Sequence, residues 1–198
     1  MNYEKLYARI TDALVEKDYC VLEDAMNNEL TSKLLTFAKK QNTFKQAGIS
    51  PFNTQQLDRS KRRDKILWID EDNGIQTAYL QFTLGLQNYL NKELYLGLTY
   101  HETHFAVYHK GDFYEKHLDA FKHSKNRVVS LVYYLNEAWN SSDAGELLIY
   151  NEKDELINTV IPKANTLIVF LSEKFPHEVL AAKKKRYSIA GWFRVDVL

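Results

Sequence analysis

Apolar residues recur at helical spacing through the first third of the chain. Leu6, Ile10 and Leu14, with Ala13 beside them, predict an amphipathic helix. Leu30, Leu34, Leu35, Phe37 and Ala38 predict a second, with Asn27 or Asn28 placed to cap it. Gly48, Ser50, Pro51 and Asn53 then break the regularity. The stretch from Gln55 to Lys65 is polar and charged, which predicts an exposed, mobile loop. Lys65–Ile69 reads as a strand. From Ile75 to Leu90 the helical stripe returns through Ala78, Tyr79, Phe82, Leu86 and Leu90, and such a stripe is core packing rather than a cofactor box. From Leu94 onward, short β-branched and aromatic runs alternate with turn residues. The predicted strands are His104–Tyr108, Val128–Leu135, Glu146–Tyr150, Thr166–Phe170 and Tyr187–Val195. This order predicts a mainly β chain with N-terminal helices (α+β), the helices lying on one outer face of a sandwich or jelly-roll core. No repeat or linker interrupts it, so residues 1–198 are read as a single domain. Residues 1–92 supply supporting helices and the polar loop, and residues 93–198 the β core.

Composition narrows the partners. The chain carries 13 Tyr, 10 Phe and 3 Trp, side chains suited to a β-rich core and to pocket walls. Lys+Arg and Asp+Glu are equal at 26 each, so there is no charge excess of the kind nucleic acid selects. The single cysteine, Cys20, excludes an intramolecular disulfide and fits a reducing compartment. No apolar run reaches signal-peptide or membrane-spanning length. The expectation is a cytoplasmic protein without nucleic-acid or membrane partners; its oligomeric state is open.

The sharpest chemical signal is His117-Leu-Asp119. On a strand, side chains two apart share a face, so this pair can hold one metal ion. His177, in Phe175-Pro-His-Glu-Val179, offers a third ligand. Two histidines and one carboxylate on one side of an ion leave the other positions open, the arrangement of non-haem Fe(II) oxygenases; a structural zinc site would be closed. Nine residues later Arg186 opens a strand in which Arg186, Ser188 and Ala190 share a face, with Trp192 beyond. An arginine turned into a barrel needs an anionic partner, which a dicarboxylate co-substrate would supply. The competing reading makes Arg186 the end of the solvated basic run from Lys183.

From Tyr108 to Arg194 the chain resembles the prolyl 4-hydroxylase type of Fe(II)/2-oxoglutarate-dependent dioxygenases. The likeness rests on Tyr108-His-Lys-Gly-Asp-Phe-Tyr-Glu-Lys-His117-Leu-Asp119, Val132-Tyr-Tyr-Leu-Asn136, Ala144-Gly-Glu-Leu147, Pro162-Lys-Ala-Asn165, Phe175–Val179 and Arg186-Tyr187. Arg63-Asp-Lys-Ile-Leu-Trp-Ile69 and Tyr133-Tyr-Leu-Asn-Glu-Ala-Trp139 are similar to the hypoxia-inducible-factor prolyl hydroxylases and their bacterial relatives. The resemblance implies a double-stranded β-helix (jelly roll) core. It implies His117, Asp119 and His177 as Fe(II) ligands, and Arg186 as partner of the distal carboxylate of 2-oxoglutarate. Tyr108 and Tyr134 would line the co-substrate, Arg127 and Trp192 the substrate groove, and the loop before Asp64 would be a lid. O2 is the implied oxidant and ascorbate a further cofactor candidate. The implied substrate is a prolyl residue of a protein or peptide. Two alternatives stay open: a hydroxylase of a free amino acid or other small molecule, and a non-catalytic metal or 2-oxoglutarate sensor. Ala144 departs from the glycine usual in the family, which bears on turn geometry. His101, His104, His109 and His123 match no ligand position and are expected to be exposed or locally hydrogen-bonded.

Overall fold

The computed structural model describes residues 3–48, 58–71, 74–120 and 126–196. Its elements run α1 (Glu4–Lys17), β1 (Tyr19–Leu22), α2 (Asn28–Lys40), β2 (Lys45–Gln46), β3 (Lys65–Trp68), α3 (Gly74–Leu94), β4 (Tyr100–Tyr108), β5 (Tyr114–His117), β6 (Arg127–Tyr134), β7 (Leu147–Tyr150), β8 (Leu156–Val160), β9 (Leu167–Leu171), β10 (His177–Val179) and β11 (Arg186–Arg194). The three helices stand where the apolar spacing placed them. Leu6, Ile10 and Leu14 are the buried stripe of α1. Asn27 caps α2, its side chain accepting from the backbone N–H of Glu29.

All strand pairs in the two sheets are antiparallel. The larger sheet has the order β1-β9-β6-β11-β4-β3-β2, the smaller β5-β10-β7-β8. Five strands lie outside the sequence expectation: β1, β2, β5, β8 and β10. Most are four residues or fewer, too short to display a period. Three strands of the first third, β1, β2 and β3, extend the larger sheet on its two flanks.

The alternation within the long strands sorts their side chains into two cores. Phe105, Val107, Val129, Leu131, Tyr133, Leu167, Val169, Ile189 and Phe193 face the helices and pack with Leu34, Tyr79, Phe82 and Leu86. Ala106, Tyr108, Tyr134, Ile168 and Phe170 face the smaller sheet and meet Leu147, Ile149, Phe175 and Val179. Both faces of the larger sheet are thus buried, which is why its strands read as nearly continuous apolar runs. Asn165, at a left-handed φ of 64°, pins the N-terminal segment to this frame. Its Oδ1 accepts from Met26 N–H and from the Tyr133 hydroxyl, and its Nδ2 donates to Met26 O.

Candidate metal centre and its cavity

Residues His117 and His177 lie directly opposite one another where β5 pairs with β10. Asp119 follows β5 in a bend, so the same-strand expectation for His117 and Asp119 does not hold. The turn nevertheless brings the carboxylate back. Its Oδ1 lies 3.7 Å from His117 Nε2 and its Oδ2 3.7 Å from His177 Nε2. One donor atom from each residue lies within 4.8 Å of the others, and this is the one such metal-capable group among the described residues.

The surroundings prepare these groups as ligands. The Nδ1 of His117 stands 2.8 Å from Glu115 O, and that of His177 2.9 Å from Phe175 O. A carbonyl can only accept, so each Nδ1 carries the hydrogen and each Nε2 turns a lone pair inward. Burial and the neighbouring His177 hold His117 well below the ordinary imidazole range, leaving it uncharged. Burial alone would raise the Asp119 carboxyl; the two imidazoles and the Ser130 hydroxyl override it and keep the group ionised. Ser130 Oγ donates to Asp119 Oδ2 at 2.7 Å and is joined to Ser172 Oγ at 2.8 Å. Two imidazoles and one carboxylate, open toward a cavity, suit a divalent cation.

The cavity of about 110 Å³ beside these groups is lined by Arg186, Ser188, Ala190 and Trp192 of β11, in the predicted alternation. The basic-run reading of Arg186 fails: the residue is 1% exposed. Its guanidinium lies 4.8 Å from the ring centres of both Tyr108 and Tyr134. Nε donates to Gly145 O at 3.0 Å, and no carboxylate among the described residues forms an ion pair with it. The Tyr134 hydroxyl is buried without a hydrogen-bond partner in the chain. Burial raises both phenols above their ordinary range, Tyr108 strongly, so each stays protonated. A buried cation facing phenolic hydroxyls lacks the anion that would balance it.

Local backbone explains how Arg186 is held. Ala144 has φ 55° and ψ −157°, and Gly145 has φ 79°. The first conformation is one that L residues rarely adopt, so the Ala-for-Gly departure is strained by about 1–3 kcal/mol. Trp139 Nε1 donates to Ala144 O at 2.9 Å and clamps the turn. A Cβ on Gly145 would come within 2.8 Å of Ala182 Cβ and 3.4 Å of Arg186 Cδ.

At the other end of the cavity, Arg127 stacks 3.7 Å over Trp192 and binds Glu102 Oε1 through Nη2 at 3.0 Å. Arg194 reaches the other Glu102 oxygen at 2.7 Å. Four charged or aromatic lining residues stood outside the sequence expectation: Arg62, Asp64, Tyr114 and His104. Asp64 is fully buried and takes a bidentate contact from Arg62, at 2.6 and 2.9 Å. Arg62 lies over Tyr114, and Tyr114 stacks on His117 at 3.6 Å. A bulge puts two residues of β5, Glu115 and Lys116, opposite one of β10, Glu178, which turns Tyr114 and His117 to one side despite their spacing of three. His104 is the fourth. It is 1% exposed with an unpartnered Nδ1, and the two ring nitrogens of His101 are likewise buried and unpartnered. Neither is the exposed or locally bonded histidine expected. Their spacing of three on β4 does send them to opposite faces, His101 against Phe193 and His104 into the cavity. His109 is exposed, 3.5 Å from Asp112; His123 lies outside the described residues, as does Gln55–Leu57 of the expected lid.

Residues 103–194 match the family model described as "2OG-Fe(II) oxygenase superfamily". A solved Pseudomonas putida prolyl-4-hydroxylase is 34% identical, with a TM-score of 0.88 over 96% of this chain and 99% of that one. The chain belongs to the 2OG-Fe(II) oxygenase superfamily. This oxygenase is also similar to a Trichoplax adhaerens prolyl hydroxylase solved with a hypoxia inducible factor oxygen degradation domain peptide fragment: 25% identical, TM-score 0.83, covering 97% of this chain and 90% of that one. Human Egl nine homolog 1 is 32% identical over 152 residues, 71% of this chain. The chain spans 35% of that protein and 12% of the matched Caenorhabditis elegans hypoxia-inducible factor prolyl hydroxylase. The likeness to solved oxygenases confirms the jelly-roll reading of the two sheets.

Proposed function

We propose that this oxygenase is a 2-oxoglutarate-dependent prolyl 4-hydroxylase acting on a proline of a protein or peptide. The observation that carries the reading is the pairing, in one cavity, of a two-histidine, one-carboxylate group with a buried arginine that has no anion of its own. Bound Fe(II) supplies the oxidising chemistry: 2-oxoglutarate and O2 become succinate and CO2, with one oxygen atom entering the substrate C–H bond and the other the succinate. The chain's residues do the rest. His117, Asp119 and His177 hold the ion, with Ser130 and the carbonyls of Glu115 and Phe175 fixing their orientation. Arg186 takes the distal carboxylate of the co-substrate, and Tyr108 and Tyr134 wall it, each able to donate a hydroxyl. Arg127 and Trp192 border the substrate side. Exposed Trp68, Tyr100 and Leu118 offer an apolar surface of the kind a peptide covers.

The peptide reading is supported by the Trichoplax complex and the P. putida enzyme, which share this fold at 25% and 34% identity. We read residues 1–198 as one oxygenase domain, with residues 1–92 supporting the β core, and the location as cytoplasmic, without nucleic-acid or membrane partners. Among the described residues no helix is long and apolar enough to cross a membrane. Ascorbate enters only as a reductant that keeps iron divalent. The test begins with anaerobic binding of Fe(II) and 2-oxoglutarate. O2-dependent succinate release is then measured with the hypoxia inducible factor fragment and with peptides of proteins that gain one oxygen on proline when the enzyme is present in its native cell. Succinate release stimulated by a free amino acid or another metabolite, and by no peptide, would replace the prolyl reading. Tight binding of metal and co-substrate without any turnover would favour a sensor.

A further inference from the structure

We propose that His104 is a substrate-positioning residue, its ring exchanging one hydrogen bond with a peptide group next to the target proline. This rests on the prolyl reading above. The strand register fixes where His104 stands. On the floor of the cavity, β11 pairs with β4 as Arg186↔Tyr108, Ser188↔Ala106, Ala190↔His104 and Trp192↔Glu102. The rise along a strand puts His104 about 13 Å from Tyr108, four residues away. His104 therefore lies at the end away from the co-substrate arginine.

Its surroundings hold the ring but do not satisfy it. Trp68 meets it edge-on at 5.2 Å and Trp192 at 5.6 Å. These contacts fix the plane of the imidazole and offer no partner to Nδ1. Across the strand pair stands Ala190, whose methyl brings no polar group to the ring. Burial, with Arg62 adding to it, lowers the imidazole to about 4, so it is neutral under ordinary conditions. A neutral ring pairs with a neutral polar group, and the nearby guanidinium of Arg127 is already engaged by Glu102. A buried polar atom left unpaired is costly, and it is satisfied when a ligand brings the missing partner. A second such atom, the Tyr134 hydroxyl, lies on the ring beside Arg186, at the co-substrate end. The two mark opposite ends of one site.

The experiment compares the unmodified protein with His104→Leu, which removes the polar atoms, and His104→Gln, which keeps hydrogen-bonding capacity. The probe is the proline peptide that the unmodified protein hydroxylates fastest in the screen above. Anaerobic Fe(II) and 2-oxoglutarate binding is measured alongside. His104→Leu is expected to raise peptide KM about tenfold, the loss of one buried hydrogen bond. Its kcat should move less, and its 2-oxoglutarate Kd should stay within about twofold. His104→Gln should recover part of the KM. A peptide KM in His104→Leu equal to that of the unmodified protein overturns the inference and leaves the prolyl reading standing. So does an equal loss of iron or 2-oxoglutarate binding, which would make His104 structural. If the unmodified protein hydroxylates no peptide, the prolyl reading falls and this inference with it.

Discussion

The two ends of the cavity floor are built from the same strands and differ in how their charges are handled. At the β11 start, Arg186 is buried among Tyr108, Tyr134 and the Gly145 carbonyl, with no carboxylate of the described chain beside it. Four to eight residues along, both arginines have a partner, since Arg127 and Arg194 share Glu102; the Arg62–Asp64 pair, level with Tyr108 at the Arg186 end, is balanced within itself. An end that leaves a cation unbalanced is made for a small anion. An end with balanced charges, two indoles and an unpaired imidazole is made for a larger, neutral ligand. The contrast separates a co-substrate site from a substrate site.

The largest expected effect removes what both ends share. Asp119→Ala should abolish stoichiometric Fe(II) retention, measured as metal content after gel filtration, and turnover with it; a variant with full metal content would remove the proposed centre. Next is Gly145→Ala, which should destabilise the fold by about 1–3 kcal/mol through its positive φ and the clash with Ala182. It should also weaken 2-oxoglutarate more than peptide, because the carbonyl that orients Arg186 moves. Equal losses at both ends would dissolve the contrast.

A pH effect follows from the buried histidines. Burial lowers His101 to about 3 from an ordinary value near 6.5. A base depressed on folding takes up more protons when unfolded, so stability is full above pH 6.5 and is lost as pH falls toward the folded value. The slope approaches about 1.4 kcal/mol per pH unit for each such histidine. Urea midpoints from pH 7 to pH 4 should therefore drop, and His101→Phe should flatten the decline. An unchanged slope would mean that other groups dominate the acid limb. The smallest effect is a gain: Ala144→Gly should raise stability by about 1 kcal/mol by relieving the strained φ. A thermal melt that falls instead would contradict the strain.

Much of this was legible in the sequence where period and spacing carry the signal. The helical stripes, the long strands and the inward set Arg186, Ser188 and Ala190 follow from side-chain direction alone. The ligand histidines were visible only as residue types, because β10 is three residues long and Asp119 sits in a bend beyond β5. The misread residues depended on register and long-range burial. Nothing local to His104 shows that Trp68 and Trp192 will enclose it, and nothing before Tyr114 announces the bulge that stacks it on His117. The solvated appearance of Lys183–Arg186 misleads for the same reason: Lys184 stays at the surface with Asp143 while Arg186 enters the core.

The most direct test of the separation is an anaerobic 2-oxoglutarate titration of Arg186→Ala against the unmodified protein, with Fe(II) content measured in the same samples. Losing a charge-assisted contact of about 1.5–3 kcal/mol predicts a Kd raised by one to two decades. Iron stoichiometry should be unchanged, and Arg186→Lys should recover only part, since an ammonium cannot reproduce the planar fork. Superimposable titration curves for Arg186→Ala and the unmodified protein would contradict the account.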